Sequence, residues 1–278
     1  MRIHLLGVRG STPSPGPEFA RHGGHTSCVA VGRDDGSVAL VLDAGTGLRS
    51  LSALLDDRPF SGTLVLGHLH WDHTHGLPFC RVVDHPDATV RVLAPAEDER
   101  PIDELFAQAM SPPNFPIGPH QLRGAWSWDA VAEGIQEVES YVVLAREIPH
   151  KGGRTFGYRI DDGRHSFAYL SDHMPQAGGD GPDGWGEYHD AAMALAEGVD
   201  VLIHDAQYTA EELPTRGAFG HAAAEYAVAL GEKAGAGQVV LFHHDPARTD
   251  DQVDAIVARF ASAPVPVSAA VEGTVLCL

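Results

Sequence analysis

Apolar residues along this chain come in short runs, bounded by clusters of Gly, Pro, Asp and His. The runs are rich in β-branched residues, which is the pattern of buried strands. One of them organises the rest. Thr63-Leu64-Val65-Leu66-Gly67 leads straight into His68-Leu69-His70-Trp71-Asp72-His73, an apolar strand with polar ligand-type residues at its end. The same reading predicts strands over residues 2–8, 27–32, 37–42, 88–94, 137–147, 154–160, 165–171, 199–203, 239–242, 265–271 and 274–277. Two pairs of these read as hairpins, across Arg33-Asp34-Asp35-Gly36 and Asp161-Asp162-Gly163-Arg164.

Helical spacing appears between the strands. Asp43-Ala44-Gly45-Thr46-Gly47 is a tight turn into a helix that places Leu48, Leu51, Leu54 and Leu55 on one face. A short helix is expected just after Asp72-His73, ending before Pro78. Further helices are predicted near residues 102–109, 187–197, 220–233 (opening on Gly220-His221) and 250–262. The Pro- and Gly-rich loop that begins at Arg9 excludes both helix and central strand. Residues 98–128, with Met110-Ser111-Pro112-Pro113-Asn114-Phe115-Pro116, form an insert too small for a separate domain, either a lid or pocket wall or a plain loop. No internal repeats are evident, and 278 residues are enough for one large domain or two small ones.

Composition narrows the class. A length of 278 residues with 44% apolar and 21% charged residues supports a sizeable core. The N-terminus enters a strand directly and lacks the pattern of a signal peptide, and no apolar run is long enough to span a bilayer, so a cytoplasmic protein is expected. Cys28, Cys80 and Cys277 are far apart and read as buried apolar thiols. The net charge of −19 disfavours a long nucleic-acid footprint. It leaves room for a small phosphate ester, because bound divalent cations would dominate the local field.

The chemistry is carried by strand ends. Apolar runs terminate at His68/His70/Asp72/His73, at His150, at Asp172, at His204 and at His243. Strand ends on one edge of a sheet converge. Any one of these could be a solvated loop residue, but independent loops rarely all end in metal-ligand types. His68 and His70, two apart on an extended strand, would point to the same side and ligate one ion. Asp72 and His73 could reach a second ion beside it. A two-metal centre lowers the pKa of a bridging water and clamps both oxygens of an in-line displacement.

The series His68-x-His70-x-Asp72-His73, then His150, Asp172 and His243, resembles the metallo-β-lactamase fold hydrolases over essentially the whole chain. The resemblance implies a single α/β (α+β) domain over residues 1–278, a four-layer αββα sandwich with the metal site at one edge of two facing sheets. It also implies that His68, His70 and His150 hold one divalent metal and Asp72, His73 and His243 the other, with Asp172 bridging. His243 is preferred to His244 because it comes first after the apolar strand. Zinc is the expected metal, with manganese or iron as alternatives.

Within that superfamily the chain resembles the phosphodiesterase branch, which includes ribonuclease Z and small cyclic-phosphate phosphodiesterases. The stretches that carry this are Gly7-Val8-Arg9-Gly10-Ser11, Gly24-His25-Thr26-Ser27-Cys28, Leu42-Asp43-Ala44-Gly45-Thr46-Gly47 and Leu202-Ile203-His204-Asp205-Ala206. The resemblance implies that His204 lies beside the substrate phosphate and protonates the leaving group, with Asp205 orienting it. His221 would line the site.

The expected reaction is hydrolysis of a small or cyclic phosphodiester by a metal-bridging hydroxide. Lys151 or Arg154 would offset charge on the phosphoryl oxygens. No basic insert for gripping tRNA is evident, and Asp172 stands where true β-lactamases carry cysteine. The branch often has Asn where His25 stands, so a substrate-facing role for His25 is left open. Two alternatives stay open, a lactonase or thioester hydrolase on the same site and a non-catalytic metal-binding module. A homodimer is possible.

Overall fold

Two seven-stranded sheets face each other in the computed structural model, which describes all residues from Met1 to Leu278. The strands are β1 (Arg2–Gly7), β2 (Cys28–Gly32), β3 (Val38–Leu42), β4 (Ser61–Val65), β5 (Thr89–Ala94), β6 (Ala125–Ala130), β7 (Gly134–Val138), β8 (Tyr141–Glu147), β9 (Phe156–Asp161), β10 (Ser166–Leu170), β11 (Val201–Asp205), β12 (Val239–Phe242), β13 (Val267–Ala269) and β14 (Val275–Cys277). The helices are α1 (Leu51–Leu54), α2 (Trp71–Thr74), α3 (Ile102–Ala109), α4 (Asp190–Ala196), α5 (Leu213–Arg216), α6 (Ala224–Ala234) and α7 (Asp250–Ala258).

The first sheet runs β14-β1-β2-β3-β4-β5-β6 and the second β13-β12-β11-β10-β9-β8-β7. Strands β3 to β6 are mutually parallel, as are β10 to β13, and the remaining pairs are antiparallel. Each parallel crossover passes over an outer face of the sandwich, which is where the helices lie.

Side-chain parity builds the layers. Along β4, Val65 packs between the two sheets while Leu64, with Leu66 just beyond the strand, faces the α1/α3 layer. Along β11, Ile203 packs between the sheets while Leu202 faces the layer of α4, α6 and α7. Three separate apolar clusters result, one between the sheets and one under each helical layer. Strands buried on both faces read as unbroken apolar runs, and this αββα sandwich is the fold expected from the sequence.

Several local expectations are corrected. The single strand expected over 137–147 is a hairpin, β7–β8, turning at Glu139 and Ser140, both with positive φ. Residues 125–130, assigned to the insert, form edge strand β6, on which Trp126 and Trp128 stack at 5.4 Å. The helix expected from Leu48 is a 3-10 turn over Thr46–Ser50 followed by the four-residue α1. The helix expected from residue 220 begins at Ala224, because Gly220 has φ +105° and Ala223 is extended. Cys28 and Cys80 are buried, but Cys277 is exposed, since it pairs with Arg2 on the outward face of edge strand β14. No helix is long and apolar enough to cross a membrane.

Candidate metal centre

The sheet edge at the C-terminal ends of β4, β10, β11 and β12 gathers the histidines and carboxylates. His68 and His70 lie just past β4 rather than within it, and α2 carries Asp72 and His73. His150 follows β8, Asp172 follows β10, Asp205 ends β11 and His243 follows β12.

Two groups form. His68, His70 and His150 make one, and Asp72, His73, Asp172 and His243 make the other, with ligand atoms of each group within 4.8 Å of one another. Asp172 stands between them. Its Oδ1 lies 3.9 Å from His68 Nε2 and 3.7 Å from His150 Nε2. Its Oδ2 lies 3.0 Å from His73 Nε2 and 3.4 Å from His243 Nε2. One carboxylate thus turns an oxygen to each group. All seven residues expected as ligands are brought to one place, and His244 is not among them; its Nε2–H donates to Ala270 O at 3.0 Å.

The donor set fits divalent cations. His68 Nδ1 and Nε2, His73 Nε2, Asp172 Oδ2 and His243 Nδ1 are buried without hydrogen-bond partners. Such atoms cost free energy unless something satisfies them. Mixed imidazole and carboxylate donors suit zinc, manganese or iron.

Charge within the metal-free cluster is polarised. Burial opposes ionisation of Asp172 and Asp72, yet the neighbouring histidines hold both carboxyls well below the usual range. Burial likewise opposes the charged form of His73, but Asp172, Asp72 and Asp43 raise it well above an ordinary histidine. Burial dominates at His68 and holds it well below.

The supporting contacts were not foreseen from the sequence. Asp43, after β3, accepts from His73 Nδ1 (2.8 Å), Gly67 N (2.7 Å) and Tyr169 Oη (2.7 Å) and is fully buried. This fixes the tautomer and orientation of His73. Ser11 N donates to Asp72 Oδ2 at 2.7 Å. His150 Nδ1–H donates to Gly220 O at 2.7 Å. Gly10 packs so closely that a Cβ would stand 2.5 Å from both His243 Nδ1 and Gln207 Oε1, so no larger residue fits without displacing the cluster. A polar residue at a strand end was the signal that could have found Asp43.

His204 corrects an expectation. It sits on the same face of β11 as Leu202, toward the helical layer, and is fully buried. Its Nδ1–H donates to Asp205 O at 2.7 Å, so its Nε2 accepts from His173 Nδ1–H at 3.0 Å. Burial lowers its pKa further. A neutral ring with both nitrogens engaged has no proton to give to a substrate.

The histidine at the site is His221. Its Nδ1–H donates to Asp205 Oδ2 at 3.0 Å and lies 3.7 Å from Asp172 Oδ1. Asp205 is itself held by His173 N and Gln207 N. Burial works against the charged ring, but Asp205 and its hydrogen bond, with Asp172 and Asp72, raise His221 to about 9. A cavity of about 350 Å³ opens beside it, lined by Ser11, His70, Trp71, Asp72, Asp172 and His221.

Other expected residues lie elsewhere. His25 contacts Thr46 Oγ1 at 3.2 Å and lines a separate cavity with Glu272. Lys151 Nζ donates to Ala218 O, and Arg154, which lines a cavity shared with His68 and His70, is paired with Glu147 at 2.7 Å. The Phe115 segment forms a pocket wall.

Fold and site together define a metal-binding protein of the metallo-β-lactamase fold. The chain belongs to the beta-lactamase superfamily, whose domain model matches residues 39–244. It is similar to ribonuclease Z of Limosilactobacillus fermentum, 23% identical over 220 residues, which cover 65% of this chain and 68% of the relative. Among solved structures it resembles the metallo-β-lactamase fold protein YhfI of Bacillus subtilis, at TM-score 0.72 and 17% identity over 99% of both chains. It also resembles a diphosphatase of the PhnP family, at TM-score 0.71 and 19% identity, over all of this chain and 97% of the other.

Proposed function

We propose that this protein is a dinuclear metal-dependent phosphodiesterase acting on a small phosphodiester. The observation that carries the reading is the position of Asp172, one oxygen toward each of two donor groups, beside a His221–Asp205 pair. Two divalent cations, zinc by default, would supply an activated water and neutralise charge on the phosphoryl group when bound. His68, His70 and His150 would hold one and Asp72, His73 and His243 the other, with Asp172 shared.

The chain's own residues supply the rest. His221 holds a proton at the cavity, and Asp205 orients its ring and stabilises the charged form. Hydrolysis breaks one P–O ester bond, forms one from water and delivers a proton to the leaving alcohol; His221 is the donor of that proton. Names among the relatives, a ribonuclease and a diphosphatase, support phosphate-ester chemistry. The charge of −19 favours a small substrate over a long polyanion.

The deciding experiment is a substrate panel on the metal-loaded protein: bis(p-nitrophenyl) phosphate, cyclic nucleotides and acyl lactones. Phosphodiester turnover is expected. Lactone turnover without phosphodiester turnover would sink the reading in favour of a lactonase.

A further inference from the structure

Beside the metal-facing side of the molecule lies a second cavity that hydrolysis alone does not require. A cavity of about 840 Å³ in front of His68 and His70 adjoins the one beside His221 through Leu69, His70 and Trp71, and is also lined by Arg100, Gly152 and Arg154. Its neighbour, about 310 Å³, is walled by Phe79, Leu105, Phe106, Ala109, Met110 and Phe115. The two share Leu69, His75, Leu105, Ala109 and Asn114 along their common wall.

Core packing accounts for Phe106 and Phe115 but not for Trp71 and Phe79. Trp71 is 65% exposed and Phe79 59% exposed. Trp71 stacks on His75 at 5.5 Å, and Phe79 meets Phe115 edge-on at 5.8 Å. Together they form an aromatic margin that runs from the metal donors to the apolar cavity. An apolar cavity of roughly 150 Å³ holds one benzene ring, so 310 Å³ takes a larger aryl group or a short alkyl chain. The polar cavity holds a cation without a close partner. The nearest carboxylate to Arg100 is Asp98 at 4.0 Å, whereas Arg154 is paired at 2.7 Å.

We infer that the substrate is a phosphodiester with one apolar ester arm, aryl or alkyl, seated between α3 and Phe115 while its phosphate faces the metal donors. The inference rests on the phosphodiesterase reading and narrows it. Ala109, exposed on α3, and Asn114, exposed beyond it, line both cavities, so a large side chain at either would fill the apolar one without crowding the core.

The test uses the zinc-loaded full chain and two p-nitrophenyl phosphodiesters with the same leaving group, their second ester being methyl or phenyl. Binding of dimethyl and diphenyl phosphate is followed in parallel by tryptophan fluorescence. We expect kcat/KM to be at least about tenfold higher for the phenyl ester, and diphenyl phosphate to bind tighter by a similar factor. Ala109→Trp and Asn114→Trp should each bring both ratios toward one. Equal handling of methyl and phenyl forms, with the methyl ester turned over, overturns the apolar arm and leaves the phosphodiesterase reading standing. A folded, zinc-loaded protein that cleaves neither ester overturns both.

Discussion

Asp205 Oδ2 sits 3.0 Å from His221 Nδ1, joining the end of β11 to the segment before α6. His204, one residue earlier, points away from the cavity into the helical layer. The two histidines therefore have separable roles. His221→Ala should lower kcat on bis(p-nitrophenyl) phosphate by about 10²–10⁴-fold, the range for loss of a general acid. His204→Gln should stay within about tenfold of wild type, with its main effect on thermal stability. The reverse order would return the proton-donor role to His204.

Metal content should follow the geometry of Asp172. The purified protein is expected to hold about two transition-metal ions per chain, and His68→Ala or Asp172→Asn should hold fewer and lose activity while keeping wild-type circular dichroism. Elemental analysis by mass spectrometry reads this directly. A preparation both metal-free and fully active would contradict the assignment.

Asp43 is fully buried, yet it fixes the ring of His73. Asp43→Asn should weaken metal affinity by about 10- to 100-fold, as is typical when the carboxylate behind a ligating histidine is lost. Competition against a chromogenic chelator would measure it; unchanged affinity would show that Tyr169 and Gly67 can orient the site without that charge.

Metal loading should release protons. In the metal-free chain Asp172, Asp72 and Asp43 raise His73, one of the proposed ligands, well above its ordinary value. A ligating imidazole must be neutral. Affinity should rise with pH through the neutral range, about tenfold per unit for each proton displaced. Proton release on adding zinc, followed in weakly buffered solution, checks the sign.

His244 sets an acid-stability effect apart from the metals. Burial holds it down at about 3, against an unfolded value of 6.5. Because the folded value is the lower one, the unfolded chain takes up the proton first. The stability contribution is intact above pH 6.5 and is lost as pH falls toward 3, by up to ~1.4 kcal/mol per unit. Urea titrations of the metal-free chain should show His244→Gln losing less stability than wild type over that window.

The cluster of histidines and carboxylates at this edge was legible in the sequence because the runs before it are apolar, and strand ends on one edge of a sheet meet. The layers were legible for the same reason, since strands buried on both faces leave no polar positions to confuse them. The turn of His204 away from the cavity was not read, though the period of two along Leu202-Ile203-His204-Asp205 contains it: His204 shares a face with Leu202. Strand β6 escaped because only Trp126 and Trp128 are half-buried there, on a strand that otherwise faces solvent. The β7–β8 turn escaped because Glu139 and Ser140 adopt positive φ without Gly, Asn or Pro to announce it. Asp43 acts through His73, Tyr169 and Gly67, a relation that exists only once β3, β4 and β10 are assembled.

The donors come from both sheets. His68, His70, Asp72 and His73 follow a strand of the first sheet, whereas His150, Asp172 and His243 follow strands of the second. Each of the two groups proposed to hold an ion draws its donors from both sheets. If the proposed ions are held there, a chain with one half out of place loses the shared ligands, and bound metal reports that the halves are docked. Chelation should in turn loosen the seam between the sheets before it disturbs either sheet alone.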